Sequence, residues 1–415
     1  MKTVRVIIVN TDEAVAADLR AVLLSLDGVK IVAEIDEPSL LAQALDSFPA
    51  EVLLVHLDPI PGAMMDVVAP IIEGRKDQIA AIGMTEDRDA ELVMRAMRAG
   101  MKEFLWKPFP PEQLRDILGR VAADADSGGR RLGRLITVVG TAGGVGATHL
   151  ATNLAVELAT LESWHGQPDN GAKPRVAIVD MDFRIGQVAM QLDAAPPYSI
   201  AELTESPESI DVQMIERAMF RHATGVHVLA RPPESVQAER ISGGACAAAL
   251  AALQEHYDFV VTDLPSRFDP TARAVFDMAD TYLLVLQLMV PCVRAADRML
   301  HDLAMTGYAM QRVSLVCNRH GRESGYLGME DVESTLKRKF DHVIPDEWRT
   351  SAAAVNMGAP LLLHAPKSKL RAAIRDVAVR LAGDPAAAAE PAVRPAAEPA
   401  RKGLFSIFAG AAAKA

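Results

Sequence analysis

The stretch LITVVGTAGGVGATHLATNLAVELATL, residues 135–161, decides the fold of the larger part of this chain. It opens with a β-branched apolar run, Leu135–Val139, continues through the glycine-rich loop Gly140–Thr148, and enters an apolar helical segment at His149. Closely spaced glycines between a strand and a helix let backbone N–H groups turn inward, and the helix N-terminus adds the positive end of its dipole. The stretch therefore predicts a phosphate-binding loop in an α/β domain.

Two composition shifts divide the chain: a charged segment at residues 124–134 and an Ala/Pro/Glu-rich segment from residue 383. Between and before them, apolar strands alternate with helical patterns, which predicts βαβ units around parallel sheets. We expect two doubly wound α/β domains, a flavodoxin-like one at 1–123 and a P-loop domain with a mainly parallel sheet at 135–382. Residues 124–134 are then a linker, and 383–415 a disordered tail with a short amphipathic end.

The composition excludes several classes of function. A net charge of −11 argues against a free-standing nucleic-acid binder, and 5% aromatic residues argue against an aromatic stacking platform. The three cysteines are scattered, which excludes a disulfide framework and a zinc site and suits a reducing cytoplasm. No apolar run approaches the roughly 18 residues of a membrane-spanning helix. We therefore expect a cytoplasmic protein without a nucleic-acid partner.

The phosphate-binding loop departs from the usual motif at its charged positions. A Walker A loop reads GxxxxGK[ST], whereas this chain has Ala147 at the lysine position and Thr148 at the position that ligates Mg²⁺. AGGVGAT, residues 142–148, resembles the deviant Walker A motif KGGxGK[ST] of ParA/MinD ATPases, with Ala142 and Ala147 in place of both lysines. In that family the first lysine reaches across a homodimer to the partner's nucleotide.

Further landmarks of that family follow in order. Asp180 resembles the aspartate that positions the attacking water, Asp263 the Walker B aspartate that binds Mg²⁺ through water, and Asn318 the asparagine that recognises adenine. The resemblance implies a SIMIBI-type P-loop NTPase fold, Mg²⁺ on Thr148 and Asp263, and nucleotide contacts from Gly143, Gly144, Val145, Gly146, Ala147, Thr148 and Asn318. The alternative for the aspartates is a structural role as helix N-caps at strand–helix turns.

The missing lysines affect nucleotide chemistry directly. A loop lysine follows the β- and γ-phosphates as a point charge, and losing one such donor costs about 10²–10³-fold in rate. We expect ATP and Mg²⁺ to bind weakly or not at all and hydrolysis to be negligible, so no catalytic residue is assigned beyond Asp180. Arg267 and Arg294 are candidates to replace the charge, but solvated or salt-bridged arginines are the simpler interpretation.

The first domain resembles the receiver domain of response regulators, through Thr85 and Lys107 after its fourth and fifth strands. The remaining receiver positions have lost their acids: the Mg²⁺-binding pair is replaced by Asn10 and Thr11, followed by Asp12, and the phosphoryl acceptor by His56. A neutral pair cannot hold Mg²⁺ as two carboxylates do. We expect a pseudo-receiver used for docking or dimerisation; the alternative is phosphorylation of Asp58 after a strand shift of one or two residues.

The fusion of the two domains resembles the CpaE/TadZ family of Tad (Flp) type IV pilus assembly. That resemblance implies a homodimeric localisation factor at a cell pole or the inner-membrane face, with Tad secretion and assembly components as partners. The tail segment RKGLFSIF, residues 401–408, then either docks on a membrane or partner or is a disordered end. The alternatives are an active ParA/MinD-like ATPase that positions cargo and a response regulator controlled by its receiver.

Overall fold

The computed structural model describes residues 4–26, 28–48, 50–75, 78–124, 132–165, 167–168, 171–321 and 327–383. Their strands form two sheets, one of five strands and one of eight. Five of these strands are apolar runs buried along their whole length, as expected for parallel sheets with helices on both faces. The predicted α/β class is confirmed.

The first sheet has the order β2-β1-β3-β4-β5, and all four pairings are parallel. This is the flavodoxin-like order of a doubly wound fold. The strands are β1 Val4–Val9, β2 Val29–Ile35, β3 Val52–His56, β4 Ala80–Thr85 and β5 Met101–Trp106. The helices are α1 Glu13–Ser25, α2 Leu41–Ser47, α3 Pro61–Glu73, α4 Ala90–Arg98 and α5 Pro111–Asp124.

The second sheet has the order β13-β12-β11-β6-β10-β7-β9-β8, and among its described pairings that of β8 with β9 is antiparallel. The strands are β6 Arg134–Gly140, β7 Val176–Asp180, β8 Phe220–Arg221, β9 His227–Leu229, β10 Phe259–Leu264, β11 Thr281–Leu286, β12 Val313–His320 and β13 His342–Pro345. The central strand β6 lies between β10 and β11, so the loop that follows it lies in the middle of the sheet's carboxyl edge.

Twelve helices accompany this sheet in the described residues. They are α6 Ala147–Ala159, α7 Val188–Gln191, α8 Ile200–Thr204, α9 Val212–Ala218, α10 Ser235–Arg240, α11 Gly243–His256, α12 Pro270–Met278, α13 Val290–Met305, α14 Met329–Leu336, α15 Trp348–Asn356, α16 Leu361–His364 and α17 Lys369–Ala382. None of the helices in the described ranges is long and apolar enough to cross a bilayer.

Helix α6 anchors the glycine-rich loop to the core. Every residue from Leu150 to Ala159 is buried, and the helix packs on β10 and α17. Glu157, which is 1% exposed, is neutralised by Arg371 and Arg375 of α17, at 2.7 and 3.1 Å. A buried carboxylate is tolerated when it is paired and hydrogen-bonded, and here the pairing fixes the helix that follows the loop.

The two sheets contact each other through buried charged groups near β2. The Lys30 ammonium, 1% exposed, lies 3.0 Å from an Asp280 carboxylate oxygen, and Arg20 pairs with Asp277. Arg312 donates to the carbonyl oxygens of Leu26 and Val29, at 2.9 and 3.1 Å. Such groups are costly to bury unless paired, so they specify how the two parts meet.

The predicted linker, 124–134, shares its first residue with α5 and its last with β6. Residues 125–131 lie outside the described residues, as does the predicted tail from residue 384, including the 401–408 segment.

Candidate functional site

The glycine-rich loop leaves the carboxyl end of β6 and enters α6 at Ala147. Gly144 and Gly146 have φ of +77° and +95°, a left-handed conformation that glycine adopts without a Cβ penalty. A Cβ on Gly146 would lie 2.5 Å from Asn318 Nδ2. Both the backbone turn and this close approach therefore require glycine.

The outer face of the loop is open. A Cβ built on Gly143 or Gly144 meets no atom within 4 Å, and both residues are exposed. Exposed backbone amides at the start of a helix are the groups that bind phosphate. The backbone of Gly143–Thr148 therefore fits a phosphate group, although Ala142 and Ala147 bring no charge to it.

Neighbouring strands hold the loop from behind. Asn318, at the end of β12, donates from Nδ2 to the Val145 carbonyl oxygen at 2.7 Å, and Gln287, after β11, donates to the Gly144 carbonyl oxygen at 3.2 Å. The Asn318 Oδ1 also accepts from the Arg319 backbone N–H at 2.9 Å. Asn318, predicted to recognise adenine, thus shapes the loop in this structure.

Asp180 and Asp263 face each other on adjacent strands. They are register partners of β7 and β10, and are 1% and 3% exposed. Burial raises the pKa of both carboxyl groups to about 7, and the negative charge of Asp180 adds to the shift at Asp263. The Thr148 hydroxyl is hydrogen-bonded to Asp263. The second sheet therefore brings together all three residues predicted for Mg²⁺ and water.

This set of oxygen atoms fits Mg²⁺. The ion takes hard oxygen ligands and commonly uses only one or two carboxylates, its other ligands being water and phosphate. Thr148 and Asp263 would hold it, and its charge would offset the burial that raises the two pKa values. No group of three or more His, Cys, Asp or Glu side chains with metal-binding geometry occurs among the described residues.

Asp180 also holds its own loop. Its two carboxylate oxygens accept from the backbone N–H groups of Asp182 and Val188, both at 3.1 Å. A Cβ on Gly186 would lie 2.0 Å from one of these oxygens, so the loop wraps closely around the carboxylate. The local geometry is that of a loop anchor, and the water-positioning role of Asp180 remains a prediction.

Two arginines contact the loop that follows Asp180. Arg267 lies 3.7 Å from Asp182, as expected for a salt-bridged arginine, and Arg294 lies in the first turns of α13. Arg231, which sequence reasoning missed, donates to the Gly186 carbonyl oxygen at 3.0 Å, and its charge favours ionised Asp180. Arg231 could have been predicted from its position just after β9, because the residues that follow the strands lie at the carboxyl edge of the sheet.

A cavity of about 280 Å³ opens beside the loop. It is lined by residues from α6, β12 and α15, among them His149, Asn318, Arg319 and Trp348. The His149 Nδ1 lies 3.2 Å from Gln191 Oε1, whereas its Nε2 is buried without a partner in the described part of the chain. A buried unpaired nitrogen calls for a ligand or water. In the sequence, the position of His149 directly after Thr148 was the feature that could have indicated a place near the site.

The first sheet brings most of the predicted receiver-like residues together at its own carboxyl edge. His56, fully buried at the end of β3, contacts Asn10 Oδ1 through Nδ1 at 2.7 Å and the Lys107 Nζ through Nε2 at 2.8 Å. Thr11 is exposed, and Asp12 caps α1 by accepting from the Ala14 N–H. Thr11 therefore lies outside the cluster, whereas the Asp12 backbone is hydrogen-bonded to Asn10.

Asp58 is the acid that the cluster holds. Its carboxylate accepts from the Thr85 hydroxyl at 2.8 Å, the Glu86 N–H at 3.0 Å and the Lys107 ammonium at 2.9 Å. Burial alone would raise the pKa of Asp58, but these three donors bring it below its ordinary value. The pKa of His56 is also lowered, by burial and by the Lys107 charge. The cluster therefore contains a neutral imidazole, an ammonium and a carboxylate.

Comparison with known proteins supports the fold of the second sheet. No family model matches the chain. The septum site-determining protein MinD of Thermotoga maritima is 24% identical over 259 residues, 61% of this chain and 89% of that protein. A ParA family ATPase from Chlorobium tepidum has a TM-score of 0.54 at 20% identity, covering 60% of this chain and 99% of that chain.

MinD from Pyrococcus horikoshii, solved in complex with Mg-ADP, has a TM-score of 0.50 at 20% identity and covers 60% of this chain and 95% of that chain. These likenesses extend over about the length of the eight-stranded part. Over that part, the chain has the α/β fold of the ParA/MinD-like, SIMIBI-type P-loop ATPases.

Proposed function

We propose that this chain is a localisation and scaffold factor of the CpaE/TadZ kind for Tad (Flp) pilus assembly, with a degenerate nucleotide site. The observation that carries the proposal is a loop with the backbone shape of a phosphate site, in which Ala142 and Ala147 stand where ParA/MinD ATPases have lysines. A fold that keeps the shape and loses the charges suits binding and assembly better than turnover.

Nucleotide binding in this site would depend on backbone groups and on Mg²⁺. The amides of Gly143–Thr148 would contact phosphate oxygens, with Thr148 and Asp263 holding the ion. The ion would supply the positive charge that the loop lacks. Asp180 and Asp263 add negative charge when ionised, so phosphates without Mg²⁺ would be repelled. We therefore propose weak or absent ATP binding.

Hydrolysis would be negligible for two reasons. The two lysine charges that stabilise the transition state are missing, and the loss of each would lower the hydrolysis rate by about 10²–10³-fold. Two backbone N–H groups also fix the orientation of the Asp180 carboxylate, so water could be oriented only by the lone pairs that these groups leave free. Residual binding would then serve conformation rather than chemistry.

The first sheet would serve as a docking or dimerisation unit. Its β3 ends in His56, on which an acyl phosphate cannot form, and Met94, Met97 and Trp106 are exposed near its outer edge. We propose that the chain forms a homodimer and recruits Tad secretion and assembly components. Its place would be a cell pole or the inner-membrane face, with the tail at 401–408 as a candidate membrane contact.

The nucleotide part is tested by titrating the full chain with fluorescent ATP, with and without Mg²⁺, alongside a hydrolysis assay. We expect any binding to require Mg²⁺, with no binding by Thr148→Ala or Asp263→Ala, and no phosphate release above a protein-free control. Hydrolysis at the rate of a lysine-containing MinD measured in parallel would contradict the proposal and favour an active ATPase.

The pilus part is tested by deleting the gene in its source organism and measuring secreted pilin and surface pili. We expect loss of both, rescue by the wild-type gene, and polar foci of a fluorescent fusion. Normal piliation in the deletion strain would contradict this role. Rescue by Thr148→Ala would show that assembly does not need the nucleotide site.

A further inference from the structure

We propose that Asp58 is a built-in ligand that permanently fills an oxyanion site in the first sheet. The site is made of three donors of different kinds: the Thr85 hydroxyl, the Glu86 backbone N–H and the Lys107 ammonium. Filled by a carboxylate of its own chain, it is closed to phosphate and to phosphoryl groups. This goes beyond the proposed function, which gives the first sheet a docking role and assigns it no ligand site.

The geometry is that of an occupied anion site. One Asp58 oxygen accepts from Thr85 at 2.8 Å, and the other accepts from Glu86 N–H at 3.0 Å and from Lys107 at 2.9 Å. A hydroxyl, a backbone amide and an ammonium around one carboxylate are the donors that proteins use for oxyanions. The Asp58 and Lys107 side chains are each only 16% exposed, so the charge pair is largely removed from water.

The cation of the site has no donor left for a second anion. Besides Asp58, the Lys107 ammonium lies 2.8 Å from His56 Nε2 and 3.3 Å from a Glu86 carboxylate oxygen. An ammonium has three N–H donors, and here each has an acceptor. His56 Nε2 accepts from Lys107, so its Nδ1–H donates to Asn10 Oδ1 at 2.7 Å.

The buried imidazole supports this arrangement from below. His56 is fully buried and neutral, and it fixes the ammonium in position without adding charge. An external oxyanion would have to displace a carboxylate tethered to the same chain, whose effective concentration does not fall on dilution. The first sheet is therefore held in a single state that does not respond to oxyanions.

The test removes the tethered carboxylate and offers inorganic phosphate instead. In Asp58→Ala, phosphate should raise the unfolding temperature by about 2–4 °C more than in wild type once it exceeds its Kd about fivefold. The added response should disappear in the double variant Asp58→Ala/Lys107→Met. Asp66→Ala, which breaks an exposed pair with Arg95, is the matched control and should respond as wild type.

Phosphate binding at the glycine-rich loop would raise the unfolding temperature of wild type and variants alike. The measure is therefore the difference in this rise between wild type and variant. A folded Asp58→Ala protein without the added response, or with a response that survives loss of Lys107, would overturn the proposal.

A second comparison does not depend on how Asp58→Ala folds. Wild type and Lys107→Met should show equal phosphate responses, because the site is already filled in wild type. A wild-type response that Lys107→Met abolishes would show an open site and overturn the proposal.

Discussion

The two carboxyl edges of this molecule each carry a cluster of buried charged groups, but the charge balance of the two clusters differs. In the first sheet an ammonium, Lys107, is matched by the carboxylate of Asp58 and supported by a neutral imidazole. In the second sheet two carboxylates, Asp180 and Asp263, face each other across adjacent strands, beside a loop without lysines. One site is neutralised from within, whereas the other needs an added cation.

The difference teaches that the fold fixes where a site lies and the residues decide what it can hold. Parallel sheets place strand ends and their loops at one edge, and both sheets do so here. The site with its own anion should be stable and closed. The site with excess negative charge should respond to pH, to Mg²⁺ and to added positive charge.

The largest expected effect comes from restoring the missing charge in the second site. Ala147→Lys together with Ala142→Lys should raise ATP hydrolysis by at least about 10²-fold over wild type, because a loop lysine stabilises charge on the transferred phosphoryl group. The measurement is phosphate release at saturating Mg-ATP. Ala142→Met and Ala147→Met, which add bulk without charge, serve as controls. An unchanged rate in a variant that binds ATP would show that more than the lysines has been lost.

The next largest effect is expected when the Asp58–Lys107 pair of the first sheet is broken. Lys107→Met leaves the Asp58 carboxylate partly buried without its cation, and we expect a loss of about 2–4 kcal/mol in the free energy of unfolding. Urea unfolding of the full chain measures it. Asp66→Asn, at an exposed ion pair, should change the same quantity by less than about 0.5 kcal/mol. Equal losses in the two variants would show that the Asp58–Lys107 pair contributes no more to stability than an exposed ion pair.

A smaller effect is the pH dependence of stability, which we expect to have opposite signs for the two sites. The pKa of Asp263 is raised to about 7 in the folded chain, above its unfolded value near 3.9, so the folded state binds more protons between these values. Stability from this group is complete below about pH 4 and is lost as the pH rises to about 7. Asp263→Asn should therefore stabilise the Mg²⁺-free protein by about 2 kcal/mol at pH 8 and by much less at pH 4.5.

Thermal unfolding of Asp263→Asn and wild type at both pH values measures this difference. Asp182→Asn removes only a neighbouring charge that adds to the pKa shift of Asp263, and it should give a smaller gain at pH 8. A gain for Asp263→Asn that is the same at pH 4.5 and pH 8 would contradict the interpretation.

The smallest effect has the opposite sign and belongs to His56. Its folded pKa lies below the ordinary value of about 6.5, so the unfolded chain takes up a proton that the folded chain resists. Stability from this group is complete above about pH 6.5 and falls on acidification, with a slope of at most about 1.4 kcal/mol per pH unit. His56→Asn should flatten the curve between pH 6.5 and pH 5. An unchanged slope in a folded variant would assign the acid sensitivity to another group.

The residues most readily predicted from sequence are those whose role depends on local spacing. The loop at Gly140–Thr148, the missing lysines and the acids at the ends of β7 and β10 follow from strand–loop–helix patterns. The spacing of residues along one strand and its loop can be recognised without knowing which strands lie beside it. For the same reason the sequence by itself determined the α/β class and the loss of charge in the second site.

Only the tertiary structure decided which side chains meet. That Asp58 and His56 both hold Lys107 depends on how β3, β4 and β5 lie side by side, and Thr85 is 27 residues from Asp58 in sequence. Likewise, His149 contacts Gln191 of α7, and Arg231 contacts the loop at Gly186, only because these elements pack together in the fold. Spacing along the chain cannot show such pairs, because strand register and helix packing bring together groups that are distant in sequence.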